Sequence, residues 1–214
     1  MRLYHNPFSS NARRVLLTAE YLRFPLDLQM IDLMSPVDRA RLVEVNPNCK
    51  VPVLEDGSFV LWESCAIMQY ITEVAGNLSL YPAGPQARAD VNRWMFWAGQ
   101  HFSGGISILT WEHLWKGLLG HGPADPQQVA RGEAEVRQFG AVLDGHLARR
   151  EWVSGPRITL ADFAVAAPMM YLEPARLPLR QFPNVMRWFA TIEALEAWRN
   201  TDVAIGFAQE PLAA

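Results

Sequence analysis

The stretch Asn46-Pro47-Asn48-Cys49-Lys50-Val51-Pro52-Val53-Leu54-Glu55-Asp56-Gly57 is where this chain commits to its fold. Asn46-Pro47 stops whatever helix precedes it, because proline disfavours the helical conformation in the residue before it. Val51-Pro52-Val53-Leu54 and Phe59-Val60-Leu61 are short β-prone runs, and the Asp-Gly inside Glu55-Asp56-Gly57-Ser58 predicts a hairpin between them. A proline opening a strand cannot donate to the ladder, and cis X-Pro bonds occur in tight turns, so Val51-Pro52 is singled out.

Upstream, Arg2-Leu3-Tyr4-His5 reads as an opening strand and Asn6-Pro7-Phe8-Ser9-Ser10-Asn11 as a turn that can cap a helix. Ala12, Val15, Leu16, Ala19 and Leu22 then fall at helical spacing, with Arg13, Arg14 and Glu20 off that stripe, giving an amphipathic helix to about Arg23. Leu26 to Ile31 alternates like a half-buried strand, and Pro36 to Val45 makes a short irregular helix. Downstream of the hairpin, Ser64 can cap a helix to about Ala75 with Ile67, Met68 and Ile71 inward. The order is β-α-β-α-β-β-α.

Gly76, Pro82, Gly84 and Pro85 mark a linker, and after it only helix patterns follow. One long helix or two span about Ala87 to Lys116, where Gly104-Gly105 is expected to kink or break the run. Gly120 to Pro126 is a loop; further helices cover Gln127 to Arg150, Leu160 to about Leu177 and Pro183 to about Asn200. Thr159 and Asp162 form a capping box flanked by staple residues Ile158 and Phe163, which occupies Asp162 structurally. The expected organisation is an α/β domain over residues 1–78, a linker over 79–85 and an all-α domain over 86–214.

Half of the 214 residues are apolar and 19% are charged, which excludes disorder as the main state. A net charge of -3 offers no general attraction to nucleic acid or to anionic membrane. Cys49 and Cys65 fit neither a disulfide framework nor a zinc site, and no apolar run reaches bilayer length, so the expectation is a cytoplasmic protein without a metal.

Three places carry chemical signals. The Asn6 to Asn11 turn puts hydroxyls where helix-end N–H groups favour an anion or thiolate; Val51-Pro52 is the second; Glu63-Ser64, an acid and a hydroxyl entering a helix N-terminus, is the third. In front of an all-helical domain, these resemble a glutathione S-transferase. The resemblance covers nearly the whole chain and rests on Asn46 to Gly57, on Leu61-Trp62-Glu63-Ser64-Cys65-Ala66-Ile67-Met68-Gln69-Tyr70-Ile71, and on Ile158-Thr159-Leu160-Ala161-Asp162-Phe163. Ser9-Ser10-Asn11-Ala12-Arg13-Arg14-Val15 is most similar to the serine-type classes, phi and theta.

The resemblance implies a thioredoxin-like domain that binds glutathione as co-substrate and a helical domain that walls in a small electrophile. Ser9, Asn11, Lys50, Val51, Pro52, Glu63 and Ser64 would then form the glutathione site. Val51 would bond the cysteinyl backbone, Glu63 and Ser64 would hold the γ-glutamyl group, and Lys50 would face the glycyl end, a carboxylate that Arg39 or Arg41 could also reach. A thiol of pKa about 8.5 is only a few per cent ionised at neutral pH, so the enzyme needs a donor to the sulfur. Ser9 is the candidate catalytic hydroxyl and Ser10 its competitor; no His is placed to make either a nucleophile. Phe8, Phe102, Ile106, Trp111 and Trp115 are the candidates for an apolar electrophile site.

The family further implies a homodimer and a detoxifying conjugation. Two other readings fit the same residues. One is glutathione-dependent reduction or isomerisation, which Cys49, a thiol able to form a mixed disulfide, leaves open; the other is a non-catalytic binding scaffold on the same fold.

Overall fold

The computed structural model describes residues 1–203, so residues 204–214 of the expected helical domain lie outside it. The chain opens with β1 (Arg2–His5), α1 (Ser10–Leu22), β2 (Asp27–Met30), α2 (Pro36–Val45), β3 (Val53–Asp56), β4 (Phe59–Trp62) and α3 (Ser64–Val74), the order that the sequence predicts. The sheet runs β2-β1-β3-β4, with β1 parallel to β2 and antiparallel to β3, and β3 antiparallel to β4.

Alternation along β1 explains the layering. Leu3 points into the larger core with Val15 and Leu17 of α1 and Ile67, Met68 and Ile71 of α3. Tyr4 points the other way, into a smaller cluster with Ile31, Leu42 of α2, Val51 and Val53. The sheet is thus covered on both faces, a thioredoxin-like α/β layer arrangement.

The helical part comprises α4 (Pro85–Trp97), α5 (Ser103–Thr110), α6 (Lys116–Leu118), α7 (Pro126–Leu147), α8 (Leu160–Ala166), α9 (Pro183–Glu193) and α10 (Glu196–Asn200). Among the described residues no helix is long and apolar enough to cross a membrane. Asp162 sits at the centre of this part, fully buried, accepting from Val153 N (2.9 Å), Thr159 N (2.8 Å) and Trp188 Nε1 (3.0 Å).

Four expectations are corrected. The run from Pro85 to Leu118 is not kinked at Gly104-Gly105; it is re-phased by π-turns at Ala98–Phe102 and Trp111–Trp115. Gly105 serves packing, since a Cβ there would lie 2.9 Å from Glu135 Cβ and 3.0 Å from the Gly132 carbonyl of α7. The helix from Leu160 ends at Ala166 and passes into a 3-10 segment over Ala167–Tyr171, where Pro168 removes a backbone donor. The last helix divides into α9 and α10 around extended Leu195.

The fourth correction concerns α1. Arg13 and Arg14 do not face water: they are 2% and 3% exposed and tie the α/β layer to the helices. Arg13 lies 3.8 Å from the ring centre of Trp198, donates to its carbonyl (3.2 Å) and pairs with Asp202 (3.1 Å). Arg14 donates to the Ala164 carbonyl at 3.0 Å.

Candidate active site

The turn after β1 is built by Asn6, whose Nδ2 donates to the Ile31 carbonyl (2.9 Å) while its Oδ1 accepts from Phe8 N (3.0 Å). This Asx turn delivers Ser9 to the N-cap of α1 with extended backbone. Ser9 Oγ accepts from Ala12 N at 3.2 Å, which leaves its O–H free to donate elsewhere. Tyr171 donates its hydroxyl to the Phe8 carbonyl and fixes the turn from the helical side. Burial pushes the Tyr171 hydroxyl up to about 12, against a hydrogen bond with Trp115 and the field of Arg13, so it keeps its proton throughout the neutral range.

A second loop faces this turn. Buried Asn46 donates Nδ2 to the Lys50 carbonyl (2.7 Å), while its Oδ1 accepts from the Asn48 backbone (3.0 Å) and side-chain (2.9 Å) amides. Cys49 follows in the left-handed region at φ 51, and the Val51–Pro52 peptide is cis. Asn46 is therefore the organiser of a loop in which the sequence marks it only as a helix stop.

The third wall is the start of α3. Glu63 stands at the N-cap with φ 76, a region that costs a side-chain-bearing residue about 1–3 kcal/mol. Ser64, expected as the cap, is instead the first helical residue and is buried. The N–H groups of this first turn have no intrahelical acceptor and so suit an anion.

These three segments enclose a cleft of about 190 Å³ lined by Asn11, Asn46, Asn48, Lys50, Val51, Pro52, Glu63 and Ser64. It opens into a larger one of about 600 Å³ between α3 and the α4–α5 run, where Asn11, Glu63 and Ser64 recur with Arg14, Gln69, Phe96, Gln100, Ser103 and Ser107. One lysine, one carboxylate, the first-turn amides of a helix and main-chain groups share this cleft, a set that suits a small ligand carrying both positive and negative charge.

Two family models match this chain: the N-terminal domain of glutathione S-transferases over residues 8–74 and the C-terminal domain of the same family over residues 105–196. The chain belongs to the glutathione S-transferase family. Solved structures agree with that assignment. A theta-class glutathione S-transferase from the citrus canker pathogen Xanthomonas axonopodis pv. citri, with glutathione bound, is 27% identical over 94% of this chain and 96% of its own, with a TM-score of 0.80. A delta-class glutathione transferase of Nilaparvata lugens is 28% identical over 94% of each chain, with a TM-score of 0.77. Glutathione transferase F2 of Populus trichocarpa shares the fold at 24% identity and a TM-score of 0.85, covering 94% of this chain and 96% of that one.

For a glutathione transferase of this kind, the structure gathers Asn11, Lys50, Val51, Pro52, Glu63 and Ser64 on one cleft. Ser9 caps the helix that carries Asn11. Among the aromatic residues singled out in the sequence, Phe8 and Trp115 meet edge to face at 5.4 Å, Trp115 meets Tyr171 at 6.5 Å, and Trp111 is 39% exposed. Phe102 and Ile106 do not belong with them. They are 1% and 2% exposed and turned into the helical core, because the π-turn before α5 rotates Ser103, Gly104 and Ser107 to the cleft instead.

Cys49 points away from the cleft, its Sγ 3.7 Å from the Arg39 carbonyl, and packs beside α2. Cys65 lines the larger cleft, and burial pushes its thiol up, with Arg14 and a hydrogen bond with Ser64 opposing. Sequence reasoning missed Tyr171, Ser103 and the inward Arg14. The only signal for Arg14 was two arginines side by side in the first turns of a helix without an acid on that turn.

Proposed function

We propose that this glutathione transferase binds glutathione in the smaller cleft, lowers the pKa of its thiol and joins the sulfur to a small electrophile. The observation that carries this reading is the convergence on one cleft of Lys50, the main chain at Val51–Pro52, and the Glu63–Ser64 helix start. Glu63 would meet the γ-glutamyl ammonium, the α3 amides its carboxylate, Val51 the cysteinyl backbone and Lys50 the glycyl carboxylate. Ser9, whose O–H is left free by its capping geometry, is the proposed catalytic donor to the thiolate. Phe8, Trp111 and Trp115 are the proposed aromatic wall for the electrophile, with Phe8 held by Tyr171.

Exposed Phe59 and Trp62 on β4 and Phe96 on α4 support pairing with a second copy of the chain, the homodimer proposed for it. A cytoplasmic, detoxifying role is the setting in which such chemistry is proposed to operate.

Calorimetric titration with glutathione tests the binding half. Wild type should bind, and Glu63→Gln and Ser64→Ala should each weaken binding about tenfold or more, since the first removes the negative charge facing the ammonium and the second a hydroxyl facing the carboxylate. Equal affinity in all three proteins would put glutathione elsewhere and overturn the assignment.

A further inference from the structure

We propose that Asn11 is a second hydrogen-bond donor to the glutathione sulfur, aimed by the buried Arg14. The inference rests on the glutathione reading above and assigns a further group to the same site. If the γ-glutamyl end lies at Glu63–Ser64 and the glycyl end at Lys50, the cysteinyl residue lies between them against Val51. Asn11 is the α1 residue that lines this cleft, and it also lines the larger cleft that the electrophile would enter. A sulfur that reacts with a second substrate must face both.

The orientation of the Asn11 amide is fixed by chemistry. Arg14 Nη1 donates to it at 2.7 Å, and a guanidinium N–H can only donate, so the amide atom it meets is the oxygen. The Nδ2 hydrogens of Asn11 are therefore turned away from Arg14, and Asn11 itself is exposed at the cleft. Arg14 cannot reorient, because its Nε donates to the Ala164 carbonyl (3.0 Å) and its Nη2 to Ser103 Oγ (2.9 Å). Asn11 would act as a catalytic residue on the sulfur, Arg14 as a positioning residue behind it. A thiolate there would have a cation one amide away, and the other charged groups facing the cleft are Lys50 and Glu63, with the Cys65 thiol on the larger cleft. The proton balance is simple: the thiol proton leaves to solvent, and Asn11 donates a hydrogen bond without transferring a proton.

The test is ultraviolet absorbance of the bound thiolate as a function of pH, with glutathione and wild type, Asn11→Ala, Asn11→Asp and Ser9→Ala. Asp is isosteric and still accepts from Arg14, but it has no N–H to offer and adds a negative charge beside the sulfur. The expected order at neutral pH is wild type above Asn11→Ala above Asn11→Asp, with the thiol pKa about one unit higher in Asn11→Ala, a tenfold lower ratio of thiolate to thiol. A purely structural role would leave the bound-thiol pKa of Asn11→Ala at the wild-type value and reverse the order only in fold stability, because Asp preserves the Arg14 contact and Ala does not. A wild-type thiol pKa in Asn11→Ala, or thiolate in Asn11→Asp above that in Asn11→Ala, overturns the inference while leaving the glutathione reading intact. Absence of glutathione binding by wild type overturns both.

Discussion

Arg14 Nη2 donates to Ser103 Oγ at 2.9 Å, joining the first helix of the α/β part to the cleft face of α5. The same guanidinium is buried and holds the Ala164 carbonyl from the far side, so one cation spans two parts of the chain that are 89 and 150 residues away in sequence.

Replacing Arg14 with Met would leave Asn11 Oδ1, Ser103 Oγ and the Ala164 carbonyl without this donor. Urea unfolding should show a loss of about 3 kcal/mol or more, given about 1.5–3 kcal/mol for a hydrogen bond to a charged group. Ser103→Ala should cost about 1 kcal/mol, because Arg14 keeps its other two acceptors. Equal losses in the two variants would contradict this division.

Asp162 supplies a pH test. Burial pushes its carboxyl up to about 6, outweighing the hydrogen bonds from Val153, Thr159 and Trp188 that pull it down. A folded-state pKa above the unfolded value means that the folded protein holds the proton more tightly. The stabilising contribution is therefore complete below about pH 4 and is lost as pH rises through about 6. The stability advantage of wild type over Asp162→Asn should shrink over that window and level off above it; an advantage that grows with pH would contradict the account.

Glycine positions separate packing from flexibility. Gly105→Ala would push a methyl against the Gly132 carbonyl at 3.0 Å and Glu135 Cβ at 2.9 Å, and should destabilise the fold by about 1–3 kcal/mol. Gly117→Ala meets nothing within 4 Å and lies in helical backbone, so it should be neutral or stabilising by up to about 1 kcal/mol. Thermal unfolding of the two variants checks the contrast.

The proposed pairing of copies predicts that Phe96→Asp, on a side chain 66% exposed in the single chain, shifts the protein toward monomer in sedimentation equilibrium. A wild-type monomer at micromolar concentration would remove the dimer from the account.

The elements legible in advance were those written in local chemistry. Asp56-Gly57 placed the hairpin, where Gly57 adopts φ 62; Ser9, within the turn read as a helix cap, caps α1, and Thr159 with Asp162 closes the capping box of α8. What stayed hidden depended on tertiary partners. Nothing local says that Arg13 and Arg14 are covered by Trp198 and Ala164, because helix periodicity reads charge as solvent-facing. The π-turn at Ala98–Phe102 is likewise hidden from local sequence, and Phe102 and Ile106, named as apolar candidates for an electrophile site, are buried in the helical core. The loop around the cis Val51–Pro52 peptide was legible because turn residues mark it; the Tyr171–Phe8 contact was not, since the two residues are 163 positions apart.

The most direct test of the central claim is the initial rate of thioether formation from glutathione and an activated aryl halide, followed by mass detection of the conjugate in wild type and Ser9→Ala. The account predicts a conjugate whose rate saturates in both substrates. It also predicts a kcat lowered about tenfold or more in Ser9→Ala with the KM for glutathione little changed, the pattern of an interaction made chiefly with the developing thiolate. Glutathione bound but never conjugated, or a Ser9→Ala enzyme with unaltered kcat, would contradict it.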